Sequence, residues 1–262
     1  MKRFFRFYQQ LCIANVGRTL ANRMDFLHSV FSSLLWSGFS IVAIFAITQH
    51  SVQVAGWSQG EILLLALTYS IIVGWFHIFF SRNFPTAANV IHYGELDRLL
   101  IKPISSLLLL IGSEINFAAT VRPILSIGFI WFVIVHYHLP VTVFSVIAFF
   151  LLSFVGLAIL VSIHIVFTTI LLYHSNLSNI MDFGALMVSA SRYPIDSLRY
   201  APTIAVLLFL PVMAAVNIPT KVLIEKASTQ DVFLFVGTAV VFLSFSLWWW
   251  RHSLVRYTGA SG

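Results

Sequence analysis

VTVFSVIAFFLLSFVGLAILVSIHIVFTTILL, running from Val141 to Leu172, contains no Asp, Glu, Lys or Arg. About 20 apolar residues are enough to cross the hydrocarbon core of a bilayer as a helix, and this run is longer than that. It has room to tilt or to project into the cytoplasm. Further apolar runs lie at Phe26–Ile47, Ile62–Phe80, Ile124–Val135 and Val232–Trp250, with two less regular ones at Leu177–Tyr193 and Ala201–Ile218. The chain is therefore read as a polytopic membrane protein.

The composition agrees. Of 262 residues, 59% are hydrophobic and only 9% are charged, whereas a soluble domain carries about 25% charged residues. The whole length, 1–262, is expected to form a single transmembrane domain. A net charge of +6 in a soluble protein would point to nucleic acid. Here the charges flank the apolar runs, where they set topology and attract anionic lipid headgroups, so no nucleic-acid partner is expected. The only cysteine is Cys12, which excludes an intrachain disulfide and a cysteine metal cluster. The first apolar run is too long for a signal-peptide h-region and lacks a small-x-small cleavage pattern.

The leader, residues 1–24, reads as an amphipathic helix on the membrane surface. Phe4, Phe5, Tyr8, Leu11, Cys12 and Val16 share one face, and Lys2, Arg3, Arg6 and Gln10 share the other. The basic residues then alternate. Lys2, Arg3, Arg6, Arg18 and Arg23 precede the first span, and the gap after it, 48–59, has no Lys or Arg. Arg82, Arg98 and Lys102 follow the second span, and Arg251 and Arg256 follow the last. The positive-inside rule places both termini and residues 81–102 in the cytoplasm, with an even number of spans, most simply six.

Two regions stay open at this level. Residues 104–135 are apolar but interrupted by Glu114, Asn116, Arg122 and Pro123. They form either a long helix starting near the cytoplasmic interface or one tilted span with charges inside it. In region 173–226, the fifth span is either Ala201–Ile218, which contains Pro202 and Pro211, or Leu177–Tyr193. The second choice leaves 195–226 as short helices dipping back from the outer face, with Arg192, Arg199, Lys221 and Lys226 external against the basic rule.

The most specific polar segment is Tyr93-Gly94-Glu95-Leu96-Asp97-Arg98-Leu99-Leu100-Ile101-Lys102-Pro103. Its acids precede its bases, as a helix dipole favours. Leu96, Leu99 and Leu100 give it an apolar ridge, and Pro103 ends it. Such a segment suits docking to a cytoplasmic partner and equally suits an ordinary loop helix.

Gly94-Glu95-Leu96-Asp97, with Leu100 and Lys102-Pro103 behind it, resembles the cytoplasmic signature of ABC exporter permeases of the type-2 class, in the branch long known only as a domain of unknown function. Tyr193-Pro194 followed by Ile218-Pro219 resembles paired proline elements late in those permeases. Trp250-Arg251, Leu254 and Arg256-Tyr257-Thr258-Gly259-Ala260-Ser261 resemble the family's ending. Tyr173-His174-Ser175-Asn176 is less diagnostic.

The resemblance implies an all-α membrane protein of six transmembrane helices. It adds an N-terminal interfacial amphipathic helix (1–24), a cytoplasmic coupling loop (81–103) and outer-face re-entrant helices before the last span (195–226). It also implies a bacterial cytoplasmic membrane location, two ABC ATPase subunits and a second permease, identical or paralogous. Gly94 to Leu100, with Lys102 and Pro103, would form the coupling helix seated in the ATPase. The sequence has no Gly-x-x-x-x-Gly-Lys-Ser/Thr loop, so ATP and Mg would bind the partner chain, and this chain would carry neither catalytic residues nor cofactor.

Polar residues at membrane depth are candidates for function because burying them in lipid is expensive. Glu114, Asn116, Arg122, His164 and Asp182 qualify. Glu114 and Arg122 are two helical turns apart on one face and would otherwise lie in the headgroup layer. His164 and Asp182 would face each other between the fourth and fifth spans. Ser33, Ser37 and Gly38 give the first span a small-residue face for close packing, against the partner half in the family reading. His136-x-His138 is read as an interfacial pair without a metal. The alternatives are a channel or secondary transporter, which would show broken helices related by repeat, and a lipid-modifying enzyme, which would need a second acidic cluster beside Glu95 and Asp97.

Overall fold

The structure, a computed structural model, describes residues 2–21, 23–48, 56–177 and 179–257. Every regular element among them is helical. In chain order they are α1 (Lys2–Ala21), α2 (Arg23–Thr48), α3 (Gln59–Phe79), α4 (Asn83–His92), α5 (Asp97–Leu100) and α6 (Ser106–Ile111). A 3-10 turn, Phe117–Thr120, runs into α7 (Val121–His136). Then come α8 (Val143–Leu171), α9 (Ile180–Ala190), a second 3-10 turn at Ile195–Tyr200, α10 (Thr203–Leu223) and α11 (Thr229–Val255).

Five stretches are long and apolar enough to cross a membrane: Gln59–Phe79, Phe117–His136, Val143–Leu171, Thr203–Leu223 and Thr229–Val255. The chain is thus an all-α, multi-pass membrane protein. α2 has 26 residues, and its described apolar part is Phe26–Leu35.

At one end of the bundle, three helices start on capping residues. Ser58 N–H donates to Glu61 Oε2 (3.1 Å) at α3. Ser145 N–H donates to Thr142 Oγ1 (3.2 Å) at α8, and Asp231 N–H donates to Ser228 Oγ (3.1 Å) at α11. Each cap satisfies a backbone donor the helix cannot, worth about 1 kcal/mol. Lys226 pairs with Glu61 at 2.6 Å and Lys221 with Asp196 at 3.0 Å, tying the ends of α10 and α3 together. Gly60 here lies against the Tyr137 ring.

The opposite end is tied by Asn83, which is fully buried. Its amide donates to the carbonyls of Phe79 (2.7 Å) and Glu114 (2.8 Å), and its Oδ1 accepts from Glu114 N–H (2.8 Å) and Ser113 Oγ (3.0 Å). Asn15 of α1 donates to Ser113 O (3.2 Å), and Tyr173 donates to Ser253 Oγ (2.9 Å). Arg82, Arg98, Lys102, Arg251 and Arg256 flank this end.

α8 is the central post and packs on α3, α9, α10 and α11. Its hydroxyls satisfy themselves: Ser153, Thr168 and Thr169 each donate to the carbonyl four residues back, at 2.7, 2.8 and 2.7 Å. That makes them acceptable in an apolar layer. At Gly156 the Ala215 carbonyl of α10 occupies the space a Cβ would need, so the two backbones touch. Gly74 admits Pro123 of α7 in the same way.

Two expectations change. Residues 104–135 are neither one long helix nor one tilted span. α6 ends at Ile111, residues 112–116 are irregular, and helix resumes at Phe117. Glu114 and Arg122 therefore do not share a face of one helix. The region 195–226 is not a set of short helices. After one 3-10 turn it is a continuous 21-residue α10, with Pro211 and Pro219 inside it. α9 covers only 11 residues of the run 177–193. In the leader, residues 2–21 and 23–24 are helical. The side chains of residues 2–8, which carry most of the amphipathic reading, lie outside the described residues.

Candidate functional site

The polar segment at the basic end is built from a helix stop. α4 ends in a Schellman turn: Gly94 N–H donates to Ile91 O (3.2 Å) and Glu95 N–H to Val90 O (2.9 Å). Gly94 sits at φ 69°, which a residue with a Cβ adopts only with strain. The chain reverses there, and Leu96 drops into the core with no exposure at all. Leu96 is therefore an anchor and not part of an exposed ridge. The ridge lies further on: Tyr93, Leu100 and Ile101 are 73%, 41% and 86% exposed. Leu99 packs on the core edge. Asp97 and Arg98 are exposed, Arg98 stands 4.0 Å from Glu95, and Lys102 and Pro103 are also exposed.

The intramembrane candidates separate into two groups. Glu114 and Asn116 lie in the irregular segment at the end of α3, with Glu114 backbone held by Asn83 and Asn116 N–H donating to Ile78 O (2.8 Å). This is the level of the helix end. Arg122 reaches deeper. Its guanidinium carbon lies 5.4 Å from the Tyr69 ring centre, and Nη2 is 3.5 Å from Ser70 Oγ. Arg192, expected outside, turns inward to the same ring. Its guanidinium carbon lies 4.9 Å from the centroid, Nη2 donates to Tyr69 OH (3.1 Å), and Nε donates to Ser189 O (3.0 Å).

Arg122, Arg192 and Tyr69 line a cavity of about 330 Å³ with Ser32, Ser33 and His77. Ser33 is thus at the cavity wall. The Ser37 side chain lies outside the described residues, and Gly38 has open space where a Cβ would point.

A second cavity of about 230 Å³ adjoins the first through Tyr69 and His77, and both His164 and Asp182 line it. They do not pair. His164 is buried, its Nδ1 lies 2.8 Å from Leu160 O, and its ring lies 4.6 Å from Phe76 and 5.0 Å from Phe84, centre to centre. Asp182 is exposed. His164 Nδ1 is turned to its own helix, and Nε2 faces Gly184 of α9.

Tyr69, Arg192, Asn83 and Asn217 were not singled out in the sequence. Asn217 is fully buried. Its Oδ1 accepts from Ile195 N–H (2.8 Å), and its amide donates to Tyr193 O (3.1 Å) and Met213 O (2.9 Å), fixing the Tyr193-Pro194 turn that aims Arg192. Nothing linear links residues 69, 122, 192 and 217. The available signal was a polar residue inside an apolar run, which Asn217 satisfies.

In comparison with known families, residues 34–261 fit the family described as ABC-2 family transporter protein. No curated protein and no solved structure matches the chain.

Proposed function

The chain belongs to the ABC-2 transporter family, and we propose that it is one permease half of an ATP-driven exporter for a hydrophobic or amphipathic substrate. A membrane component of an ABC transporter works with an ABC ATPase subunit. In this reading two ATPases bind at the basic end, which faces the bacterial cytoplasm together with both termini. A second permease, identical or paralogous, completes the pathway against the α2 side. Six crossings result, with α2 the first, α9 and residues 191–194 the fifth, and 195–226 on the outer side. α1 lies along the inner headgroups. The chain contributes no catalytic group, and ATP and Mg bind the ATPases.

One observation carries the coupling assignment. Leu96 is buried to the last atom, yet Leu100 and Ile101 beside it stand in the open at the end rich in Arg and Lys. A rigidly anchored apolar knob with mixed charges around it transmits force to a partner that encloses it. A loop helix with no partner would bury such residues or replace them with polar ones.

Reversing charge at Glu95 and Asp97 together, both to Arg, leaves the core contact of Leu96 untouched. The double variant is expected to insert and fold as wild type while ATPase recovered by affinity purification falls about tenfold or more. Undiminished ATPase recovery would rule out the coupling role of this segment.

A further inference from the structure

Tyr69 stands midway between Gln59 and Phe79, the ends of α3, so about 15 Å of helix lies on either side of it. Two guanidinium groups from two other elements converge on this one ring. Among the described residues no carboxylate forms an ion pair with either of them. Arg192 is satisfied by neutral oxygens, and Arg122 Nε is buried with no hydrogen-bond partner. A cation at bilayer depth is costly and is retained where it meets a counter-charge or a pathway. Two like charges around one phenol add repulsion. Both face the same cavity of about 330 Å³.

The adjoining cavity is of a different kind. Phe76, Phe84, Met181 and Val188 form much of its wall. Its one lining carboxylate, Asp182, repels an anion and favours placing negative charge beside the arginines. The two spaces share Tyr69 and His77, and together they fall within the ~300–1,000 Å³ of ordinary small-molecule sites.

We propose that Arg122 and Arg192 bind the anionic head, a phosphate or a carboxylate, of an amphiphilic substrate whose apolar tail lies along Phe76, Phe84 and Val188. As a transport site it rests on the permease reading, and it narrows the substrate from amphiphiles in general to acidic ones. Arginine suits either head group because its planar fork donates two parallel hydrogen bonds.

The test is calorimetric titration of the purified full chain in neutral detergent with dodecyl phosphate, dodecanoate, dodecyltrimethylammonium and inorganic phosphate. At least one acidic amphiphile is expected to bind ten times or more tighter than the ammonium compound and than inorganic phosphate. The stronger of the two acidic probes identifies the head group. Arg122→Gln and Arg192→Gln should each weaken that binding about tenfold or more, equivalent to about 1.4 kcal/mol. Arg122→Lys should keep a preference for anions over the ammonium compound but bind the acidic amphiphile more weakly than wild type, because the ammonium retains the charge without the fork. Thermal unfolding checks the fold of each variant.

Equal binding of acid and ammonium amphiphiles, or acid binding indifferent to both Gln variants, overturns the site. Inorganic phosphate binding as tightly as dodecyl phosphate overturns the amphiphile. The outcome is separable from the permease reading, because titration needs no ATPase. A chain that recovers its ATPase but shows no acid preference refutes only the site, and a chain that binds acid but never recovers an ATPase refutes only the coupled permease.

Discussion

Asp196 collects donors from three directions: Trp57 Nε1 at 2.9 Å, Lys221 Nζ at 3.0 Å and Arg199 Nη2 at 3.6 Å. Burial works against its charge, but the Trp57 and Lys221 hydrogen bonds and the two cations outweigh that, holding the carboxyl below its ordinary 3.8. A carboxyl depressed in the fold stabilises it above the unfolded value and loses that contribution as pH falls through the folded one. The wild-type melting temperature should therefore carry an acid-side fall below about pH 4 to which Asp196 contributes, and Asp196→Asn should show a shallower fall there. Identical slopes for the two proteins would refute the role of this cluster. The cluster also gives partners to Arg199, Lys221 and Lys226, which the re-entrant reading places outside against the basic rule. Lys221 and Arg199 are partnered by Asp196 and Lys226 by Glu61, contacts across 22 or more positions in two cases that no local pattern discloses. By contrast, Arg122 was legible as an interrupted apolar run, whereas its partner Tyr69 looked like one more aromatic in a hydrophobic helix.

At the scale of elements, the apolar runs of α3, α7, α8 and α11 were readable because hydropathy is a one-dimensional property. α10 was readable only as one of two choices, the run Ala201–Ile218, because its prolines counted against a helix. A proline inside a helix is tolerated where packed protein covers the freed backbone, and α8 covers α10. It lies so close to α8 that the Ala215 carbonyl takes the position of a Gly156 Cβ. The break at 112–116 was hidden for the converse reason: Asn83, about thirty positions earlier, holds Ser113 and Glu114 out of a helix. The α8–α10 contact gives a sharp expectation. Gly156→Ala should destabilise the protein by about 1–3 kcal/mol, because backbone cannot yield as a side chain does. Gly128→Ala and Gly237→Ala, where nothing lies within 4 Å, should be neutral or mildly stabilising through helix propensity. Thermal unfolding in detergent ranks the three, and a Gly156→Ala protein as stable as the controls would refute the close packing.

At the scale of the whole molecule, charge and contacts together divide the bundle into two ends, and the fifth crossing is where they decide between readings. Hydropathy alone selects Thr203–Leu223, which would leave Ile195–Tyr200 on the same side as Ile101. The contacts of Asp196 with Trp57 and Lys221 put that turn at the capped end with Gln230, and in the proposed topology the crossing falls to α9 and the residues after it. α9 alone spans only about 16 Å, and in that topology residues 191–194 complete the passage. Thr220 is buried and would not report its side, whereas Ile101, Ser197 and Gln230 are exposed. Cys12 is the only cysteine and is itself exposed, so Cys12→Ser provides a silent background. In it, Ser197→Cys and Gln230→Cys should react with an impermeant maleimide in intact cells, and Ile101→Cys only after permeabilisation. If Ser197→Cys behaves as Ile101→Cys does, α10 is the fifth crossing and α9 is not. Arg192 would then approach Tyr69 from the cytoplasmic side, and the cationic cavity would open inward.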